Sequence, residues 1–130
     1  MRTSIFLLLF SAAAFCTVLV SCQKSTKPPG PVDAITATYQ ALEAQDSEKF
    51  LQTLTEEKRE AYAINPSALH DKFAQWKGRH ADLKVLSVKQ FDDTMAMVLY
   101  NLTVTGRNPE TDDSLLTRVL VENGEWKHGY

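Results

Sequence analysis

Cysteine is scarce in this chain, and its two copies, Cys16 and Cys22, both precede the region in which a folded domain is predicted. No disulfide can therefore cross-link that domain from within. The chain also has no excess of basic residues, because it contains 14 Lys and Arg and 16 Asp and Glu. Nucleic acid is thus not an expected partner.

Motifs for catalysis and metal binding are missing as well. The sequence has no glycine-rich phosphate loop and no GxSxG nucleophile motif, and its three histidines (His70, His80 and His128) have no metal-ligand spacing. The acidic loop at residues 108–113 lacks the central glycine and final glutamate of an EF-hand loop, which favours a solvated loop over a weak calcium site. We expect no cofactor and no metal, and the catalytic residues, if there are any, stay unknown.

The N-terminus has the layout of a secretory signal. Arg2 and the free amino group give it positive charge, and residues 5–20 then carry no charge at all. Sixteen residues make a helix of about 24 Å, which falls short of the roughly 30 Å hydrocarbon core of a bilayer. A cleaved signal is therefore the better interpretation, and an uncleaved anchor the poorer one.

The end of this apolar run resembles the lipobox of bacterial lipoproteins, with Leu19, Val20, Ser21 and Cys22 in its four places. The resemblance implies cleavage between Ser21 and Cys22 and a diacylglyceryl thioether on the Cys22 sulfur, with acyl chains such as palmitate holding the protein on a membrane. The residue after Cys22 is Gln rather than Asp, which in a Gram-negative bacterium implies the outer membrane, facing the periplasm. The alternative, a buried or disulfide-bonded Cys22, fits poorly beside so many prolines.

Composition and pattern divide the chain into three parts: a signal peptide (1–21), a lipidated cysteine with a flexible tether (22–31), and a folded domain (32–130). The tether residues 23–31 have no large apolar side chain, and as an extended linker they reach about 28 Å.

The first half of the domain has helical periodicity. Val32, Ile35, Tyr39 and Leu42 share one face of a helix that should end near Ala44. Caps then predict three more helices. They begin at Asp46 or Ser47, at Thr55, and at Asn65-Pro66, and the last should end at Gly78.

After Leu83 the apolar residues alternate, which predicts strands at 84–91, 94–105, 115–122 and 125–130. Asn123-Gly124 favours a type I′ hairpin turn, because both central residues of that turn need positive φ. A two-residue turn sets Val121 opposite Trp126, Val119 opposite His128, and Thr117 opposite Tyr130.

The strand at 94–105 is apolar on both faces, with Ala96, Val98, Tyr100, Leu102 and Val104 on one and Met95, Met97 and Leu99 on the other. One face should cover the helices. The other is partly exposed or meets a partner, such as a second copy of the chain in a homodimer.

Three segments together resemble the nuclear transport factor 2-like (NTF2-like) superfamily: AITATYQALEAQDSEKFLQTLTEEKREAY, DDTMAMVLYNLTV and LVENGEWKHGY. The resemblance implies an α+β cystatin-like cone, in which N-terminal helices pack on a curved four-stranded antiparallel sheet. Some members of the superfamily are isomerases or dehydratases, but this chain matches none of their catalytic motifs.

Tyr39, Tyr100, Thr117, Trp126 and His128 are the candidates to line a pocket in such a cone. A histidine beside tyrosines could act as a general base, although such rings more often fill a core. The leading hypothesis is therefore a lipid-anchored envelope protein whose cone binds a small apolar ligand or a protein partner without catalysis. The alternatives are a small isomerase or hydrolase, and a scaffold or assembly factor.

Overall fold

The computed structural model describes residues 28–106 and 110–129. In this part of the chain four helices precede four strands. The helices are Pro31–Glu43 (α1), Ser47–Thr53 (α2), Glu56–Ile64 (α3) and Pro66–Trp76 (α4). The strands are His80–Asp92 (β1), Met95–Thr105 (β2), Thr111–Glu122 (β3) and Glu125–His128 (β4), and they form an antiparallel sheet in chain order. The predicted α+β architecture with a curved four-stranded sheet is confirmed.

Some helix ends follow the signals in the sequence, but Thr55 and Asn65, the predicted caps of α3 and α4, make no side-chain cap hydrogen bond in the described structure. Pro31, which was assigned to the tether, is instead the first residue of α1, because proline already has the φ that this position needs. The Asp33 carboxylate accepts a hydrogen bond from the Gly30 amide at 2.6 Å. Asp46 caps α2 by accepting from the Lys49 amide at 3.0 Å. Gly78, with φ of 75°, follows the end of α4 as predicted.

Three strand ends differ from the sequence prediction by two residues or more. β3 begins at Thr111 rather than at residue 115, because its first four residues continue the ladder with β2. β1 begins at His80 rather than at residue 84, because Ala81 and Leu83 continue the ladder opposite Val104 and Leu102 of β2. β4 ends at His128. The hairpin register is as predicted, with Val121 opposite Trp126 and Val119 opposite His128. The third predicted pair includes Tyr130, which lies outside the described residues.

The core lies between the helices and the inner face of the sheet, which is the face that the helices cover. Alternate residues of β2 are buried there: Ala96, Val98, Tyr100, Leu102 and Val104. From the helical side α1 buries Ala34, Ile35, Thr38, Ala41 and Leu42. The buried residues repeat every two positions in β2 and follow the helical repeat of 3.6 in α1. Together they form one core, as expected for a helical layer on a sheet.

Several sequence predictions fall on residues that the structure does not describe. These are the signal peptide, the cleavage site at Ser21 and Cys22, and the tether up to residue 27. The domain boundary at 21 accordingly stays a prediction. None of the helices within the described residues is both long and apolar enough to cross a membrane.

Candidate functional site

Three hydroxyl groups form a hydrogen-bonded chain inside the cone. Tyr39 of α1 and Tyr100 of β2 are linked through their hydroxyl oxygens at 3.0 Å, and the Tyr100 hydroxyl lies 3.2 Å from the Thr117 hydroxyl of β3. Tyr100 and Thr117 are buried, whereas Tyr39 is half-buried. This hydroxyl chain ties one helix to the two central strands, and it lies in the place where a cone-type pocket would be expected.

His128 of β4 lies next to this hydroxyl chain. Its ring centroid is 6.3 Å from that of Tyr39, and the residue is only 1% exposed. Burial lowers the pKa of His128 from 6.5 to about 4, and the positive charges of Lys72 and Lys58 add to the effect. The imidazole is therefore neutral at physiological pH. Four of the five sequence-predicted site residues thus lie together.

Aromatic rings fill the space around these four residues. Trp76 is buried and packs on Tyr39 with ring centroids 5.6 Å apart. Phe50 is fully buried and contacts Phe73 at 5.3 Å and Tyr62 at 5.8 Å. One tilted pair and two edge-to-face pairs at these distances are typical of a packed core. The interior of the cone is thus occupied by side chains rather than shaped around a ligand.

Trp126, the fifth predicted site residue, lines a groove of about 750 Å³ at the end of the domain where the tether arrives. The groove lies between the start of α1, the α2 helix and the β3–β4 turn, and we call it the tether groove. Its apolar part consists of Trp126, Val121, Ala34 and Ala37 together with Pro28 and Pro29. Its volume and mixed lining are typical of sites for small ligands.

A lysine holds one wall of the tether groove in place. Lys127 of β4 donates from Nζ to the Gln52 carbonyl of α2 at 2.6 Å and to the Glu125 carboxylate at 2.8 Å. Its side chain is only 12% exposed. The hydrogen bond and charge of Lys127 lower the pKa of Glu125. The sequence contains no sign of this groove, because its lining comes from segments that lie far apart in the chain.

A smaller cleft of about 310 Å³ lies between α1 and β1, and we call it the side cleft. Glu43 accepts a hydrogen bond from the Ala81 amide at 2.6 Å and lies 3.2 Å from Nδ1 of His80. Tyr39, the half-buried residue of the hydroxyl chain, also lines this cleft. Among the described residues, no three His, Cys, Asp or Glu side chains come together as metal ligands.

The outer face of the sheet, which points away from the helices, carries an apolar patch. Met95, Met97 and Leu99 of β2 are half-buried there, and Leu116 of β3, directly opposite Leu99, is 62% exposed. Leu120 continues the patch opposite Met95. Exposed apolar surface of this kind often marks a contact with another molecule.

Comparison with known proteins identifies the fold but not the activity. No protein-family model and no curated protein sequence matches the chain. Among solved structures, it is similar to a SEC-C motif containing protein from Rhodopseudomonas palustris, with 17% identity, a TM-score of 0.63, and coverage of 77% of this chain and 75% of that one.

Two further structures are similar over most of their length. One is named as a calcium/calmodulin-dependent protein kinase type II association domain from Thiobacillus denitrificans, with 14% identity, a TM-score of 0.60, and coverage of 77% of this chain and 90% of that one. The other is an NTF-2-like protein of unknown function from Shewanella oneidensis, with 13% identity, a TM-score of 0.54, and coverage of 75% and 89%. The chain has the NTF2-like cone fold. At these identities the likeness carries the fold alone.

Proposed function

We propose that this protein is a lipid-anchored protein of the bacterial cell envelope whose cone domain binds a small apolar ligand, without catalysis, in the tether groove. One observation carries the proposal: aromatic rings fill the interior of the cone, whereas a groove of about 750 Å³ beside Trp126 stays open. An indole next to alanines and a valine offers an apolar surface for such a ligand.

The proposed anchor is the lipid on Cys22, after cleavage behind Ser21. From residue 22 to Pro28, at the rim of the groove, the chain can reach at most about 20 Å. The tether groove would therefore stay close to the membrane, where apolar molecules concentrate. In a Gram-negative bacterium this membrane would be the outer membrane, and the domain would face the periplasm.

The anchor is tested by growing cells that make the full chain on labelled palmitate. Label and membrane association should both depend on Cys22, so that Cys22→Ser removes both and Cys16→Ser keeps both. Label on the Cys22→Ser chain, or none on the unaltered chain, would refute the anchor.

The ligand site is tested with the dye anilinonaphthalene sulfonate, an apolar probe whose fluorescence rises on binding. Trp126→Ala should weaken dye binding by roughly tenfold, since it removes most of the apolar wall. Phe91→Ala serves as the matched control, because Phe91 is exposed on β1 and does not line the groove. Equal binding by both variants would refute the assignment of the groove.

We do not propose the isomerase or hydrolase alternative. A general base works best when its pKa lies near the working pH. The pKa of His128 is lowered to about 4, and the ring lies in a packed interior. Its hydroxyl neighbours are satisfied by one another. These features are those of a buried polar network that holds a core together.

The scaffold alternative has a specific observation in its favour, namely the outer-face patch of Met95, Met97, Leu99, Leu116 and Leu120. Its partner would be a protein with an apolar surface. Leu116→Asp in the full chain should then abolish co-purification of that partner while dye binding in the tether groove is unchanged. Retention of the partner by the variant would count against the scaffold.

A further inference from the structure

The β1 strand has a long exposed edge. β1 is the first strand in the sheet order, so within the described structure only β2 pairs with it. All nine residues from 84 to 92 are exposed, and four of them are apolar: Val85 at 36%, Leu86 at 47%, Val88 at 45% and Phe91 at 50%. An edge that is long, exposed and apolar is a template for a further strand.

The opposite edge of the sheet is different. β4 has only four residues, and its last residue, His128, is buried. The His128 carbonyl already accepts a hydrogen bond from the Thr55 amide at 3.1 Å. Beyond β4 the same edge consists of residues 111–117 of β3, where Asp112 and Asp113 place charge that disfavours pairing, so strand addition is expected at β1.

We propose that residues 84–92 pair with the same residues of a second copy of this chain, antiparallel, about a two-fold axis through Val88. Val88 is the midpoint of the exposed segment. The two sheets would then join edge to edge into one continuous sheet. This inference does not depend on a ligand in the tether groove.

Charge complementarity supports this register. About an axis through Val88, Lys84 of each copy lies opposite Asp92 of the other, so that two opposite-charge pairs form per dimer. Val85 lies opposite Phe91, and Val88 lies opposite itself. In β2, the partners of Lys84 and Asp92 are Asn101 and Met95, which both belong to the outer face, so the two charges point to the same side of the joined sheet. Opposite charges and apolar side chains facing one another across strands both stabilise pairing.

The neighbouring registers bring like charges together. An axis through Ser87 sets Asp82 opposite Asp92, and an axis through Lys89 sets Lys89 opposite itself. Such pairs destabilise a sheet. The two irregularities of β1, between Val85 and Ser87 and between Gln90 and Asp92, lie on either side of Val88 and leave the centre of the segment regular.

The edge suits a second copy better than the outer face does. On the outer face, Met97 lies between Lys89 of β1 and Arg118 of β3. Two copies packed face to face would bring these positive charges into an apolar contact, where burial of unpaired charge is costly. Edge pairing avoids this, and it also places the two apolar outer faces side by side for another partner.

Cysteine cross-linking of the full chain in its own membranes tests the axis. Val88→Cys should give a covalent dimer on mild oxidation, because residues on the axis lie within disulfide distance. Residue 86 of one copy faces residue 90 of the other across the axis. Leu86→Cys or Gln90→Cys alone should therefore not cross-link, whereas cells that make both single variants should yield the covalent dimer. The chain without these substitutions gives the background from Cys16 and Cys22. No dimer from Val88→Cys, or equal yields from positions 86, 88 and 90 alone, would overturn the proposal.

Charge reversal tests the register in the Val88→Cys background. Lys84→Glu and Asp92→Lys should each lower the dimer yield, since both pairs become repulsive and association weakens by roughly tenfold. The double variant restores both pairs and should restore the yield. Asp92 also accepts hydrogen bonds from the Thr94 amide and hydroxyl, both at 2.7 Å. The double variant lacks these hydrogen bonds too. A restored dimer yield would therefore show that the charge pairs, and not the stability of the turn, determine the yield. A yield that stays low in the double variant would overturn the register.

Discussion

The imidazole of His128 lies in the interior beside Tyr39 and near the charges of Lys58 and Lys72. Its pKa is lowered from 6.5 in the unfolded chain to about 4 in the folded one. Between these two values the unfolded chain binds more protons than the folded one, so the free energy of unfolding falls as the pH falls. The stability that comes from neutral His128 is complete above pH 6.5 and is lost as the pH drops towards 4.

We therefore expect the domain to lose about 2 kcal/mol of unfolding free energy from this residue between pH 7 and pH 5. Urea unfolding of the unaltered chain, His128→Gln and His80→Gln at both pH values measures this. Between the two pH values, the His128→Gln variant should lose about 2 kcal/mol less unfolding free energy than the unaltered chain. His80 lies at the surface, so its variant controls for the loss of an imidazole outside the core. An unchanged pH dependence in His128→Gln would show that the burial of His128 has no such effect.

The hydroxyl chain makes a second prediction about single residues. Thr117→Val removes the hydroxyl that lies 3.2 Å from the Tyr100 hydroxyl in the core. We expect it to lower the unfolding free energy by about 1 kcal/mol, the usual net value of a buried hydrogen bond. Thr103→Val is the matched control, because Thr103 lies on the outer face and donates to Asp112 in an exposed hydrogen bond. Equal losses of unfolding free energy in both variants would argue against a special role of the buried hydroxyl chain.

Among the elements, α3 shows how a helix start can depend on a distant strand. Its N-cap residue, Thr55, makes no side-chain cap hydrogen bond in the described structure. The Glu56 amide instead donates to both carboxylate oxygens of Glu122 of β3, at 2.7 Å and 3.1 Å. A carboxylate at this place satisfies an amide and also suits the positive end of the helix dipole.

Glu122→Gln keeps an acceptor for the Glu56 amide but removes the charge. We expect it to lower the unfolding free energy by about 0.5 kcal/mol, and Glu122→Ala to lower it further, because the amide is then left to water. Denaturant unfolding at low and high salt measures both, and the loss in Glu122→Gln should shrink at high salt. Glu110→Gln, at an exposed position outside the helices, is the control. A loss in Glu122→Gln no greater than in this control would contradict the role of the charge.

The contrast between these elements shows what the sequence could predict. Most helices and strands are visible as a local period with cap or turn residues beside them, and the Asn123-Gly124 turn fixes the register of Trp126 and His128. The Glu122 cap and the tether groove were not predictable, because they join residues far apart in the sequence. β1 was predicted too short for the same reason, since its first residues are held by β2.

For the whole molecule, the pattern of burial implies that stability is unevenly distributed. β2 lies between β1 and β3 and buries five residues, whereas none of the residues of α3 is buried in the described structure. Parts with few buried contacts open at little cost in free energy, while the most buried strands open only on global unfolding. The cone should therefore open first at α3, none of whose residues line the tether groove.

Hydrogen exchange followed by mass spectrometry tests this order. Peptides from α3 should exchange fastest among the helices, and peptides from β2 should exchange at the rate of global unfolding. α1 is the matched helix, since it buries five residues and should exchange far more slowly than α3. If β1 pairs with a second copy, protection of residues 84–92 should rise with protein concentration while that of α3 stays constant. Exchange of α3 as slow as that of α1 would refute the uneven distribution, because both helices would then open only with the whole domain.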